Sequence, residues 1–167
     1  MRKLFLIAII AIISSTAFAQ NEKWGIGLNI GYGSNSNLKK PSIGVKATYD
    51  ISDLLTIAPT FNYYFQKKMT EGEVEAKINM WDINCDVHFN LLRKDNIKVY
   101  PLAGLSYLHS KVATEGYDGS DSEIGVNLGV GAQFAVAPRF AIAPEVKYQI
   151  ISGLNQLVPS VSIMYKF

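Results

Sequence analysis

Three side chains of the types that bind metal ions lie close together in the sequence, at Asp82, Asp86 and His88. If this segment forms a β-strand, the first and third of these residues lie about 20 Å apart, because a strand rises roughly 3.3 Å per residue. Metal–ligand bonds are only about 2.0–2.6 Å long, so one strand does not bring the three side chains onto one ion. We therefore predict no metal site and no cofactor, and assign the three residues to a polar network.

A histidine and a serine are adjacent at His109 and Ser110. These residue types perform acyl transfer when the imidazole activates the hydroxyl. Adjacent residues of a strand point to opposite faces, however, so we do not expect this pair to hydrogen-bond. The sequence also contains no phosphate-binding loop, zinc motif or dinucleotide fingerprint. We therefore predict that the protein is not an enzyme.

The elements that must position these residues are strands, because apolar and polar residues alternate along most of the chain. In the last segment, Leu157, Val161, Ile163, Tyr165 and Phe167 lie on one face, and serines lie on the other. Each such segment has about the length that a tilted membrane strand needs. The segments cover residues 24–32, 43–51, 55–65, 81–91, 98–107, 123–134, 140–150 and 157–167.

The connections between these eight segments alternate in length. Residues 51–54, 92–97 and 135–139 form short turns, whereas residues 34–40, 66–76, 110–121 and 152–156 form mostly longer, polar connections. Outer-membrane barrels have short periplasmic turns and longer external loops. The sequence therefore predicts an all-β fold, an eight-stranded antiparallel up-and-down transmembrane β-barrel with both termini in the periplasm.

Aromatic residues decide which face meets lipid, because membrane interfaces select aromatic belts at both ends of the strands. A soluble barrel that binds a small apolar ligand is the alternative, but it would have to place aromatics at both strand ends by accident. We therefore assign the apolar face to lipid. The lower belt comprises Trp24, Tyr49, Phe89, Phe134, Phe140, Tyr165 and Phe167, and the upper belt comprises Tyr32, Tyr63, Phe65, Trp81, Tyr107 and Tyr148.

The opposite face carries both signs of charge and points into the lumen of the predicted barrel. Buried charges are tolerated when they are paired and hydrogen-bonded, so we predict a polar network that fills the lumen and leaves no open pore. A proton or ion path is the alternative. Three prolines on the lipid face, Pro59, Pro101 and Pro144, predict bulges or local defects in the strand pairing. The predicted lumen network comprises Lys46, Asp82, Asp86, His88, Lys98, Glu123, Glu145 and Lys147.

The N-terminal residues are typical of a secretory signal peptide. Arg2 and Lys3 precede an apolar run, 4–13, and Ala17-Phe18-Ala19 provides a cleavage site. The run is too short for a membrane helix of about 20 residues. We predict a signal peptide at residues 1–19 and one domain at residues 20–167. Cys85 is the only cysteine, which excludes an internal disulfide, and a net charge of +2 is too small to indicate nucleic-acid binding.

The closing Tyr165-Lys166-Phe167 and the stretch 100–105 resemble the small eight-stranded outer-membrane barrels of Gram-negative bacteria, the OmpA/OmpX-like β-barrel domains. The resemblance implies an outer-membrane location and a C-terminal assembly signal, Tyr165 and Phe167, that the barrel-assembly machinery recognises. It also implies a monomer with a structural or surface-interaction role, such as envelope integrity, adhesion or binding of an unknown surface ligand through the external loops.

Lipid and lipopolysaccharide are the expected partners of such a barrel. Lys39, Lys40, Lys67 and Lys68 lie in the first two external loops, where they are candidates for lipopolysaccharide phosphates, although ordinary solvated charge explains them too. Because some small outer-membrane barrels are lipid A acyltransferases or deacylases, a lipid-modifying enzyme is the alternative function that the resemblance implies.

Overall fold

The computed structural model describes residues 23–35, 39–71, 74–94, 96–114 and 117–167. The predicted signal peptide, residues 1–19, lies outside the described residues. No helix that is long and apolar enough to cross a membrane occurs in the described part of the chain. The strands are β1 (Trp24–Ser34), β2 (Lys39–Asp50), β3 (Leu55–Glu71), β4 (Val74–Phe89), β5 (Leu92–Lys94), β6 (Ile97–Thr114), β7 (Tyr117–Ala137), β8 (Phe140–Ile151) and β9 (Gln156–Lys166).

Eight of these strands form a closed antiparallel barrel, as predicted. The sheet order is β4-β3-β2-β1-β9-β8-β7-β6-β5, and an additional pairing of β4 with β6 closes the ring. The first and last strands pair directly, with Leu28 opposite Ile163. The three-residue β5 only extends a turn, pairing with the first residues of β6. Closure satisfies the backbone groups that an open sheet edge would expose to lipid.

Two hairpins extend further than the alternation pattern predicts. β3 and β4 remain paired up to Glu71 and Val74, and β6 and β7 remain paired up to Thr114 and Tyr117. Most residues of the predicted loops 66–76 and 110–121 therefore belong to paired strands that continue the hairpins upward. Above the bilayer both faces of a strand meet water, so the strand continues without the apolar alternation that revealed its lower part.

Polar side chains fill the interior and apolar side chains cover the exterior. Leu128 is 54% exposed, whereas its neighbour Asn127 is fully buried. The same contrast separates Val45, at 44% exposed, from Lys46, at 2%. Cys85 also lies on the outer surface. This inside-out distribution is that of a membrane barrel and not of a soluble one.

The three prolines on the lipid face coincide with defects in strand pairing, as predicted. The β2–β3 ladder skips two residue pairs, at Pro59 and the residue before it, and the β7–β8 ladder skips two pairs, at Pro144 and the residue before it. The β4–β6 ladder ends immediately above Pro101. The register is unchanged across the first two gaps, so no residue is inserted there and they are not bulges. A missing amide hydrogen explains them. The bulges lie elsewhere, after Tyr64 and after Ala135.

Candidate functional site: the polar lumen and the barrel rims

The upper lumen is organised around one carboxylate, that of the fully buried Asp82. The Tyr64 hydroxyl donates to its Oδ2 at 2.7 Å. The Asn62 and Asn84 amides donate to its Oδ1 at 2.8 and 2.7 Å, and the Gln149 amide donates to Oδ2 at 3.4 Å. All four donors are neutral, so hydrogen bonds rather than a cation replace the water that this carboxylate has lost.

A buried ion pair lies below this layer and is linked to it through asparagines. Lys147 Nζ lies 3.3 Å from Asp86 Oδ2. Asn127 donates to Asp86 Oδ1 at 2.7 Å and to Asn84 Oδ1 at 2.9 Å. The Gln149 amide also donates to Asn84, at 2.8 Å. The Asn84 side chain thus connects the Asp86 pair to the Asp82 layer.

The middle of the lumen holds a second ion pair, between Lys46 and Glu145. The Tyr100 hydroxyl donates to Glu145 Oε1 at 2.7 Å. The His88 ring stacks on the Tyr100 ring with centroids 4.2 Å apart, and its Nε2 lies 3.8 Å from the same carboxylate oxygen. A Cβ at Gly131 would lie only 2.6 Å from the Tyr100 ring, so a glycine there leaves room for this stack.

A third group of charges occupies the lower mouth of the barrel. Lys98 donates to Asp50 Oδ2 at 2.7 Å, and the Thr56 hydroxyl donates to Oδ1 at 2.6 Å. Arg93 reaches the same carboxylate at 3.5 Å and the exposed Asp53 at 2.9 Å. This group lies at the short-turn end of the barrel, and the Lys46–Glu145 group lies above it.

The structure brings most of the predicted lumen residues into contact, but as separate groups. His88 and Glu145 join Lys46, whereas Lys98 pairs with a carboxylate that the prediction omitted. Glu123 is only partly buried opposite Leu108, and it makes no hydrogen bond or ion pair within the described residues. Sequence reasoning counted most of the charges but omitted Asp50 and the neutral partners, although these share the same strand face. The omitted participants include Asp50, Asn62, Tyr64, Asn84, Tyr100, Asn127 and Gln149.

The sequence and the inside-out barrel agree with one family of known proteins. The family model described as "Outer membrane protein beta-barrel domain" matches residues 5–167. This chain belongs to that family. It is a bacterial outer-membrane protein, so the predicted location is confirmed and the alternative of an exported soluble barrel is wrong. No curated protein matches the sequence at a significant level.

Solved outer-membrane barrels share the fold at low sequence identity. Neisserial surface protein A is 21% identical, with a TM-score of 0.66 over 86% of this chain and 96% of that one. Ail of Yersinia pestis is 17% identical, with a TM-score of 0.61 over 86% and 96%. OprG of Pseudomonas aeruginosa is 13% identical, with a TM-score of 0.63 over 86% and 95%. These similarities establish the architecture of the outer-membrane barrel.

The external rim of the outer-membrane barrel differs from the sequence-based expectation at Lys40, agrees with it for His109 and Ser110, and adds a contact of His109 that was not expected. Lys40 is fully buried and its Nζ donates to the carbonyl oxygen of Ile78 at 3.1 Å, so its ammonium does not face lipopolysaccharide. His109 does not reach Ser110 but forms a hydrogen bond of 2.8 Å with Ser122 Oγ on the neighbouring strand. Sequence reasoning missed the second contact because it depends on the β6–β7 register. The side chains of Lys39, Lys67 and Lys68 lie outside the described part.

The predicted assembly residues lie at the lower rim, where the two ends of the described chain meet. The Phe167 amide donates to the Trp24 carbonyl oxygen at 3.0 Å, and the Trp24 amide donates back at 3.3 Å. The Tyr165 ring lies 5.2 Å from the Phe140 ring and 6.2 Å from the Phe167 ring. The Arg139 guanidinium donates to the Tyr165 hydroxyl at 3.1 Å. The terminal aromatics therefore belong to the lower aromatic belt.

Proposed function

We propose that this outer-membrane barrel has no enzymatic activity and no open pore, and that it acts as a rigid wall element that presents its external hairpins to surface ligands. The closed polar lumen carries this proposal. A channel needs a continuous aqueous path, and the buried network occupies the place where that path would run.

The hydrogen-bonded network extends around the barrel wall. Ser162 on β9 donates to Asn29 on β1, which donates to Asn62 on β3, and Asn62 donates to Asp82 on β4. The contacts through Asn84 described above continue to β7 and β8. Hydrogen bonds between strands that are distant in sequence keep the lumen closed, because opening the lumen would expose several buried polar groups at once.

The extended hairpins support a role at the cell surface. The β3–β4 and β6–β7 ladders continue well beyond the aromatic residues of the upper belt, such as Tyr107. Loops held on a rigid scaffold are common binding surfaces. One barrel of the same fold, Ail, has been crystallised in complex with the heparin analogue sucrose octasulfate. Envelope integrity, adhesion and ligand binding are the roles that such hairpins suit, with lipopolysaccharide as the surrounding partner.

Replacing the upper parts of the hairpins tests the proposal. One variant would carry short turns in place of residues 66–76 and 110–121, and a second variant would carry Gly/Ser segments of the native length. Both barrels are expected to assemble in the outer membrane. Cells with either variant should lose surface binding, or become sensitive to detergents, to the same extent as cells without the protein. Full retention of surface binding and of detergent resistance in the short-turn variant would contradict a function of the hairpins.

A lipid-modifying enzyme is the second candidate, and the His109–Ser122 hydrogen bond is the observation that favours it. The pair lies beside the Trp81 ring, whose centroid is 5.1 Å from the imidazole, at the level of the upper belt. Against this candidate, the Ser122 amide already donates to Asp121 at 2.8 Å and is not available to an oxyanion. We expect Ser122→Ala to leave the mass spectrum of the extracted lipids unchanged. A changed acylation pattern in that variant would favour the enzyme.

A further inference from the structure

The periplasmic mouth of the barrel contains two adjoining cavities, of about 240 and 450 Å³. They share Asn96, Gln133, Ala135 and Lys166 in their walls, so they form one recess. We call this recess the basal vestibule. It lies between the β5–β6 and β7–β8 turns, and Lys98, which is ion-paired with Asp50 in the lower mouth of the barrel, forms part of its wall.

Every charged side chain in the wall of the basal vestibule is basic. Arg93, Lys94, Lys98 and Lys166 line the smaller cavity, and Arg139 joins Lys166 in the larger one. No acidic side chain lines either cavity within the described residues. Asn96 and Gln133 add amide N–H donors. Concave walls of one charge sign concentrate the field and attract the opposite sign.

The carboxylates near the basal vestibule are already engaged. Asp50 is shared by Lys98 and Arg93, and Asp53 binds Arg93 while remaining almost fully exposed. Within the described residues neither Lys94 nor Lys166 lies within 4 Å of a carboxylate oxygen, although Asp50 is close enough to Lys166 to attract its ammonium group. The Lys98 side chain is nearly buried, at 11% exposed, so its charge is poorly screened by water. The positive charge therefore exceeds what the neighbouring carboxylates neutralise.

We propose that the basal vestibule binds a multivalent anion, with phosphate or carboxylate groups, from the periplasmic side. The recess is large enough to admit a diphosphate or a tricarboxylate. Lysine ammonium groups act as point charges that bind either group, and the two amide side chains add hydrogen bonds. A dissolved anion and the phosphate of an inner-leaflet lipid headgroup share this chemistry. The proposal is independent of the external hairpins and of the surface role.

Calorimetric titration of the refolded barrel with inorganic pyrophosphate at low ionic strength tests the proposal. The full chain would be held in a zwitterionic detergent. We expect binding that weakens as salt is added. Lys94→Gln and Lys166→Gln should each reduce affinity by up to about fivefold, the range for exposed ion pairs, and more in combination. Lys94 lies on the exposed turn strand β5, so its replacement is not expected to disturb the barrel.

Lys23→Gln is the matched control, because Lys23 is an exposed lysine at the same end of the barrel that lines neither cavity. Heat-modifiable migration on a gel would verify that every variant is folded. Absence of pyrophosphate binding, or an equal loss in Lys23→Gln, would overturn the proposal. A repeat in nanodiscs distinguishes the sources of the anion. Competition by phosphatidylglycerol, but not by phosphatidylcholine, identifies a headgroup, and no competition identifies a dissolved anion.

Discussion

Lys46 on β2 and Glu145 on β8 form an ion pair across the lumen, although 99 positions separate them in the sequence. Each side chain is only 3% exposed. Taking two charges out of water costs several kcal/mol, which their attraction offsets only when geometry and additional hydrogen bonds are good. The Tyr100 hydroxyl supplies one such bond to Glu145. The pair therefore ties opposite walls together in a way that depends on both partners being present.

Removing one partner of this pair should cost more than removing both. Glu145→Gln leaves the Lys46 ammonium buried without its carboxylate, for which we expect a loss of about 3–5 kcal/mol. Glu145→Gln with Lys46→Met should recover part of it, as measured by denaturant unfolding in detergent. The matched control is the coupling between Lys98 and Glu145, which should be small because Lys98 pairs with Asp50. Zero coupling between positions 46 and 145, or equal coupling between 98 and 145, would contradict the pairing.

Arginine substitutions should distinguish the lipid face from the lumen. Val45→Arg and Val130→Arg place a cation on the exposed apolar surface, where a position near the bilayer midplane costs about 2–4 kcal/mol. Thr48→Gln, which faces the lumen, is the control and should cost less. Gly129 is unsuitable as a lumen control because an added Cβ would clash with the Val146 carbonyl oxygen. Equal folding yields in lipid vesicles for the arginine variants and the control would contradict this assignment of the two faces.

The purified barrel should not conduct ions in a planar bilayer. The fully buried amides of Asn84 and Asn127 bridge the interior, so no steady current is expected from the parent protein. Replacing both residues with glycine removes those bridges and should produce measurable openings. A stable, bulk-like conductance of the parent protein would indicate a water-filled lumen and would contradict the proposed absence of a pore.

The terminal aromatic residue should matter more for assembly than for stability. Phe167→Ala keeps the backbone hydrogen bonds with Trp24 and removes only a ring at the lower rim, worth about 1.5–3 kcal/mol of burial. We expect this variant to refold in detergent nearly like the parent but to accumulate poorly in isolated outer membranes. Phe140→Ala removes a ring from the same belt and is the control. Equal accumulation of both variants would mean that Phe167 is a packing residue and not a signal.

The sequence alone was sufficient for the strand count, the barrel class and the two faces, since side chains alternate with period 2 and lipid selects for the outer set. Lys46 was assigned to the lumen and Tyr107 to the lipid face, and the structure confirms both, at 2% and 39% exposed. The short turn at residues 51–54 was also predicted correctly. Each of these features depends on residues that are close in sequence, so a local pattern records it.

Contacts between distant strands were decided only by the tertiary structure. Register and closure bring Lys46 to Glu145 and His109 to Ser122, and neither contact follows from the face on which a residue lies. The extended hairpins were missed because water on both faces removes the alternation. The proline positions predicted disturbed pairing, but whether a proline causes a gap or a bulge depends on the partner strand. Strand parity is a property of one strand, whereas pairing depends on how the whole ring closes.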